Sequence, residues 1–357
     1  MDYLHLSGEL TNISPQSFIN SLFLLLDTRQ TRGVTDRKQE SLYDMTGMSK
    51  VEQFSFVHSE SGDTEEDKKL LEPFKLALTC GEKHPYAKLM PLFNHWLKIA
   101  PDRYQQIKEI IDIIHHVYVI FDDIQDNGIV RDGFPVVHAI YGVSSTINCA
   151  NYAQIICFMK LLKLHPDAMK IMLEELSQFD RGQGLDMYYK DNFICPTEEE
   201  YMVMIKKKSC WLSKVIFKLM KLFSTYEKDL VPLATAIGVF FQIHNDYCNV
   251  FVDKDFNDRS YCDDLTEGKF GFPIVHAITT NPTDRQILNI VKLRTTDVNI
   301  KRHCVKLLES FGSFKYTRGI LEELEKKMKT DLERLGGNPI LMEMIDDWKI
   351  QMSKTRV

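Results

Sequence analysis

The chain has 357 residues, 44% hydrophobic and 26% charged, with 17 Gly and 12 Pro, the make-up of an ordinary globular protein with enough chain for a large core. A formal charge of −6 argues against a nucleic-acid partner, which asks for a basic footprint, and leaves room for a local basic pocket. No apolar run is long enough to span a bilayer, and the N-terminus has neither a signal-peptide nor a transit-peptide pattern, so a cytosolic protein is expected. The eight cysteines are scattered without a Cys-x-x-Cys pair, and they read as reduced thiols, several of them in the core.

Residues 1–66 read as an N-terminal extension. A short amphipathic helix is suggested at Pro15–Thr28, followed by a polar, partly mobile arm that ends in a Ser/Gly/acid-rich stretch. A second region, 67–357, is helix after helix. Apolar periodicity places helices at about 68–80, 87–98, 102–126, 146–163, 166–192, 197–224, 228–255, 283–293, 297–311, 313–335 and 338–353. Thr197 and Glu200 form a capping-box signature, and Gly336-Gly337 is a plausible helix stop. Convincing alternating strands and internal repeats are absent. The expected fold is all-α.

The chemistry collects at two helix ends. In Phe121-Asp122-Asp123-Ile124-Gln125-Asp126 the apolar stripe from Ile107 to Phe121 runs into acids. Asp122 and Asp126 lie one turn apart on one face. Such a pair is unfavourable at a buried stripe unless a cation lies between the carboxylates, and magnesium takes one or two carboxylates plus substrate phosphates. An acidic quintet alone is equally at home on a solvated helix end. The second site is Gln242-Ile243-His244-Asn245-Asp246, continuing to Asn249 and Asp253. Asn245, Asn249 and Asp253 align at four-residue steps, a spacing that suits a second set of oxygen ligands for magnesium, although this segment taken alone reads more simply as a polar helix face near a turn. Cations follow: Arg131, the Lys206-Lys207-Lys208 run with Ser209, Arg259 and Lys269. Lys208 adjoins the apolar Trp211-Leu212, so one lysine of the run should turn inward. Acids for a metal, lysines for an anion and apolar helices behind them suggest a diphosphate site over a hydrocarbon pocket.

Several segments carry a resemblance. Leu70-Leu71-Glu72-Pro73, Phe93-Asn94-His95-Trp96-Leu97-Lys98, Gly133-Phe134-Pro135, Gly182-Gln183-Gly184-Leu185-Asp186, Pro196-Thr197-Glu198-Glu199-Glu200-Tyr201 and Asp264-Leu265-Thr266-Glu267-Gly268-Lys269-Phe270 are similar to the trans-isoprenyl diphosphate synthases. The closest likeness is to animal geranylgeranyl diphosphate synthases and the insect terpene synthases derived from them. The resemblance runs from Leu70 to Trp348, in family order. It implies a single-domain isoprenoid synthase bundle with a central active-site cavity, a homodimer, Mg2+ as cofactor and an allylic prenyl diphosphate as substrate.

The resemblance also assigns roles. Asp122, Asp126, Lys208 and Lys269 are the expected catalytic residues. Arg131, Lys208, Ser209, Gln242, Arg259 (where lysine is usual) and Lys269 would hold the allylic diphosphate, and Lys83 and His95 remain from an isopentenyl diphosphate site. That second site is altered. Its usual Gly-Lys-x-x-Arg stands as Glu82-Lys83-His84-Pro85-Tyr86, and the second arginine of an Arg-Arg-Gly is Asp132. Losing a bidentate guanidinium contact costs about 1.5–3 kcal/mol, and a carboxylate in place of the other adds repulsion. Binding of isopentenyl diphosphate should therefore fall by orders of magnitude. Tyr118, one turn below Asp122, should floor the hydrocarbon pocket, and Cys210-Trp211, in place of a Gly-Gly pair, should fill it further. The expected activity is that of a terpene synthase turning geranyl diphosphate into an acyclic monoterpene such as (E)-β-ocimene. The alternatives are a prenyltransferase that still elongates, and an inactive regulatory subunit of such an enzyme.

Overall fold

The computed structural model describes residues 64–79, 85–131, 133–251 and 261–353. Most of the expected N-terminal extension, and with it Lys83, Asp132, Asp253 and Arg259, lies outside the described residues. The chain divides into two compact units, Met1–Lys50 and Val51–Val357, and every described residue belongs to the second.

Among the described residues that unit is all-α, apart from one hairpin of two two-residue strands. The first helices are α1 (Thr64–Leu70), α2 (Glu72–Thr79), α3 (Leu89–Leu97) and α4 (Pro101–Gln125). Strands β1 (Val130–Arg131) and β2 (Phe134–Pro135) pair antiparallel, with Arg131 opposite Phe134. Then come α5 (Val137–Tyr141), α6 (Val143–Leu164), α7 (Ala168–Asn192), α8 (Glu198–Lys208), α9 (Trp211–Lys221) and α10 (Val231–Phe251). The last are α11 (Asp263–Glu267), α12 (Phe272–Thr280), α13 (Gln286–Leu293), α14 (Val298–Ser310), α15 (Ser313–Arg334) and α16 (Pro339–Ser353).

α4 is the axis of the bundle. Pro101 opens it at a position where a missing N–H is harmless. Ile107, Ile111, Ile114 and Val117 are fully buried along it, against α2, α6 and α9. Asn127, in the left-handed region at φ 54°, ends the helix, and the Gly128 N–H donates back to the Asp123 carbonyl at 2.8 Å. The Thr197–Glu200 capping box is present in both directions, and Gly336 and Gly337 both take positive φ after α15.

Several features depart from the sequence reading, the hairpin and the short α5 and α11 among them. The helix expected over 197–224 is broken at Ser209-Cys210 into α8 and α9. There the Ser213 hydroxyl donates to both the Cys210 and Ala234 carbonyls (3.0 and 2.8 Å), competing with the helical ladder. α12 was missed because Phe272-Pro273-Ile274-Val275 is apolar on all sides, which hides a helical period. The helix expected at 68–80 is two, α1 and α2. The seven described cysteines are free thiols, five of them buried.

Candidate active site

Two chambers meet at the C-terminal end of α4. One, of about 490 Å³, is mostly apolar and runs past Tyr118, Phe179, Trp211, Ile237 and Phe241. The other, of about 640 Å³, is lined by acids of both motifs together with Asp186, Asp263, Asp264 and Glu267, facing Arg131, Lys208 and Lys269. Asp122, Asp123, Arg131, Lys208, Gln242 and Asn245 line both, so the chambers are adjacent and share these residues. This is the shape an amphiphile with a charged head requires.

The acids of the first motif sit in the last turn of α4, where the helix dipole is itself negative, so cations are needed there. The Arg131 guanidinium supplies one. From β1 it donates to Asp123 Oδ1 through Nε at 2.8 Å and to Asp122 Oδ2 at 3.1 Å. The hairpin missing from the sequence reading is therefore what delivers Arg131. Asp126 is held by two ammonium groups, Lys190 at 2.7 Å on Oδ1 and Lys269 at 2.5 Å on Oδ2. Burial opposes its ionisation, but Lys269, Lys208 and Lys190 outweigh that and hold its carboxyl well below the usual range.

Lys208 is the member of the lysine run that turns inward, pairing with Asp186. Gly182 makes this possible: a Cβ there would sit 2.5 Å from the Lys208 backbone nitrogen, so only glycine lets α7 cross α8 so closely. Lys269 follows α11, and its backbone N–H donates to the Asp264 carbonyl at 2.8 Å. Burial pulls its ammonium pKa down, but the charges of Asp122, Asp126 and Glu267 raise it well above the ordinary value.

The second motif is more fully engaged than its spacing suggested. Asp246 is buried and accepts from the Tyr201 hydroxyl at 2.5 Å, the Phe272 N–H at 2.8 Å and Gln242 Nε2 at 2.7 Å. Ser209 in turn donates to Gln242 Oε1 at 2.7 Å. Ser209 and Gln242 are thus tied to each other at the mouth of the apolar chamber. Asn249 Oδ1 accepts from the Asp264 N–H at 3.3 Å, and Asn245 lines both chambers.

The donor set suits a hard divalent ion. Carboxylates outnumber cations eight to three around the charged chamber. Burial pushes the carboxyls of Asp264 and Glu267 up, helped at Asp264 by the charge of Asp246 and opposed at both by Lys269. Among the described residues no three His, Cys, Asp or Glu side chains converge as a complete cage.

The apolar chamber is walled by three rings in mutual contact. Tyr118 and Phe179 are 4.8 Å apart at 82°, Tyr118 and Trp211 5.3 Å, and Phe179 and Trp211 5.4 Å. Gln154 donates to the Tyr118 hydroxyl at 3.1 Å. Cys210 was expected to fill the pocket with Trp211. Instead its side chain lies against Gly238, where a Cβ would come within 2.7 Å of its sulfur, and only Trp211 reaches the chamber. Phe241 lines the chamber, whereas Phe240 stacks on Trp348 at 4.8 Å. His95 is exposed on α3 and lines neither chamber.

One wall of the site was not read as functional at all. α7 contributes Phe179 to the apolar chamber and Asp186 to the charged one, with Gln183 and Lys190 buried behind them. Their spacing of four, three and four residues is a single helical face, and polar residues recurring on a buried face were the available signal.

An acid-rich chamber opening onto an aromatic-walled one, inside an all-α bundle, defines an enzyme acting on a hydrocarbon diphosphate. Residues 67–308 match the polyprenyl synthetase family, and the chain belongs to it, as an enzyme of prenyl diphosphates. It is 46% identical over 288 residues to a terpene synthase of Matsumurasca onukii, covering 80% of this chain and 95% of that one. It is 37% identical over 295 residues to a geranylgeranyl pyrophosphate synthase of Mucor circinelloides f. lusitanicus, covering 82% and 97%. Another such synthase, from Aspergillus fumigatus, is 40% identical over 272 residues, covering 76% of each. No helix among the described residues is long and apolar enough to cross a membrane.

Proposed function

We propose that this protein is a magnesium-dependent terpene synthase that ionises geranyl diphosphate and releases an acyclic monoterpene, such as (E)-β-ocimene, and diphosphate. The observation that carries the reading is the junction of one cation set, Arg131, Lys208 and Lys269, with one apolar chamber closed by Tyr118, Phe179 and Trp211. The Tyr86 and Asp132 substitutions at the second substrate's positions and the likeness to a terpene synthase support it.

Asp122 and Asp126 would hold magnesium, which would supply Lewis-acid pull on the leaving group. The chain does the rest. Lys208, Lys269 and Arg131 neutralise negative charge gathering on the diphosphate as its carbon–oxygen bond breaks. Tyr118, Trp211 and Phe241 line the apolar chamber that would hold the allylic cation, and aromatic faces favour a cation. The apolar walls keep water away, so the cation sheds a proton from an adjacent carbon and a double bond forms. The departing diphosphate is the base at hand.

The test is product analysis of the full chain with magnesium, supplying geranyl or farnesyl diphosphate alone and then with isopentenyl diphosphate. A volatile terpene from the allylic diphosphate alone is expected. Longer prenyl diphosphates formed only with isopentenyl diphosphate would establish the second reading, a prenyltransferase, which the likeness to geranylgeranyl pyrophosphate synthases favours.

A homodimer also suits the surface. On α6, Val143, Ile147, Ile155, Met159 and Leu162 are each more than a third exposed at helical steps, an apolar strip that a second copy would cover. Light scattering that finds only a monomer at micromolar concentration would refute this.

A further inference from the structure

The two carboxylates expected to hold magnesium are each gripped on one oxygen from α7 and on the other from a chamber-lining cation. Gln183 Nε2 donates to Asp122 Oδ1 at 3.1 Å, and to Gln125 Oε1 at 2.9 Å. Lys190 Nζ donates to Asp126 Oδ1 at 2.7 Å. The remaining oxygens face Arg131, at 3.1 Å from Asp122 Oδ2, and Lys269, at 2.5 Å from Asp126 Oδ2.

Burial separates the two sets. The Lys190 side chain is 4% exposed, against 21% for Lys269 and 44% for Arg131. Lys190 and Gln183 line neither chamber, whereas Arg131 and Lys269 line the charged one. A buried lysine is unfavourable without a partner, and here the partner is a buried carboxylate. Lys190 also donates to the Gln125 carbonyl at 3.4 Å, a second tie to the same end of α4. Lys269 and Arg131 have water and the chamber beside them.

We propose that Lys190, with Gln183, is a positioning clamp that keeps Asp126 and Asp122 aimed into the chamber, while Lys269 and Arg131 are exchangeable counterions that leave those carboxylates for an incoming diphosphate. The clamp is what makes the exchange affordable. If Lys269 alone held Asp126, its departure would strand a buried carboxylate until a metal arrived. With Lys190 in place the carboxylate keeps a partner throughout, and its second oxygen is free to ligate.

The inference rests on the magnesium–diphosphate part of the proposed function and not on which product forms. The experiment is isothermal titration of the full chain with inorganic diphosphate, with and without magnesium, on wild type, Lys190→Met and Lys190→Arg. Turnover is not needed. Wild type should bind tightly only with magnesium, and absence of binding would overturn the reading of the site itself. Lys190→Met should weaken magnesium-dependent diphosphate binding tenfold or more, and Lys190→Arg should restore it to within about threefold of wild type, since the guanidinium keeps the charge. Weakened thermal stability of Lys190→Met with unchanged diphosphate affinity would make Lys190 a structural ion pair and end the proposal. So would failure of Lys190→Arg to restore binding. Should Lys190→Met not fold, Lys190→Gln is judged by the same two readings.

Discussion

Replacing Trp211 by alanine tests whether the three-ring wall sets substrate length. Trp211 is 6% exposed and touches both Tyr118 and Phe179, so its loss removes two ring contacts as well as buried area. Truncating a buried aromatic costs about 3–5 kcal/mol. Its chamber-facing side has few packed neighbours to lose, which places this site near the lower figure. At roughly 2 °C per kcal/mol for a unit of this size, the melting temperature should fall by about 6 °C. The freed volume lies where a longer chain would extend. Farnesyl diphosphate carries five more carbons than geranyl diphosphate, and at about 0.8 kcal/mol per buried methylene they contribute at most about 4 kcal/mol. The ratio of kcat/KM for farnesyl over geranyl diphosphate should therefore rise by tenfold to about a thousandfold in Trp211→Ala. The assay is a competition between the two diphosphates, with products resolved by gas chromatography. A destabilised variant with an unchanged ratio would refute the assignment of Trp211 as a length gauge.

Gly182→Ala places a Cβ 2.5 Å from the Lys208 nitrogen, which forces α7 and α8 apart. A loss of about 1–3 kcal/mol in stability and at least a tenfold fall in turnover are expected in thermal melts and steady-state kinetics; full activity would show that Lys208 does not depend on this crossing. Asp264→Asn should stabilise the protein near neutral pH. Burial first, and then the charge of Asp246, holds the Asp264 carboxyl well above its ordinary value. Below the ordinary value it is neutral in both folded and unfolded chains. As pH rises toward the folded value the unfolded chain ionises first, and stability is lost. The variant should therefore melt higher than wild type at about pH 7.5 and equally at about pH 3.5, both without magnesium; a constant difference across that range would reject the assignment.

Most of the fold was legible because helices declare themselves locally. α4, α7, α10 and α15 emerge within a few residues of their expected ends, since each pairs an apolar stripe with a recognisable start or stop. The break at Ser209-Cys210 was not legible. It depends on the Ala234 carbonyl, on another helix, accepting from Ser213. The same holds for Cys210, whose place beside Gly238 no neighbouring residue in the chain announces.

At the site, four-residue spacing singled out Asp122 and Asp126 and the adjoining Trp211-Leu212 pointed Lys208 inward, whereas the role of Lys269 was implied by the family resemblance. Tyr118 followed from the helical turn that separates it from Asp122. What only the tertiary structure decided is which oxygen each cation holds, that α7 brings Asp186 to the charged chamber and Gln183 and Lys190 against the first-motif acids, and that Phe179 completes the ring cluster. Those contacts join positions some 60 residues apart, as Gln183 to Asp122 and Lys190 to Asp126. Helical periodicity orders neighbours along one helix and carries no information about which face of another helix will lie against it.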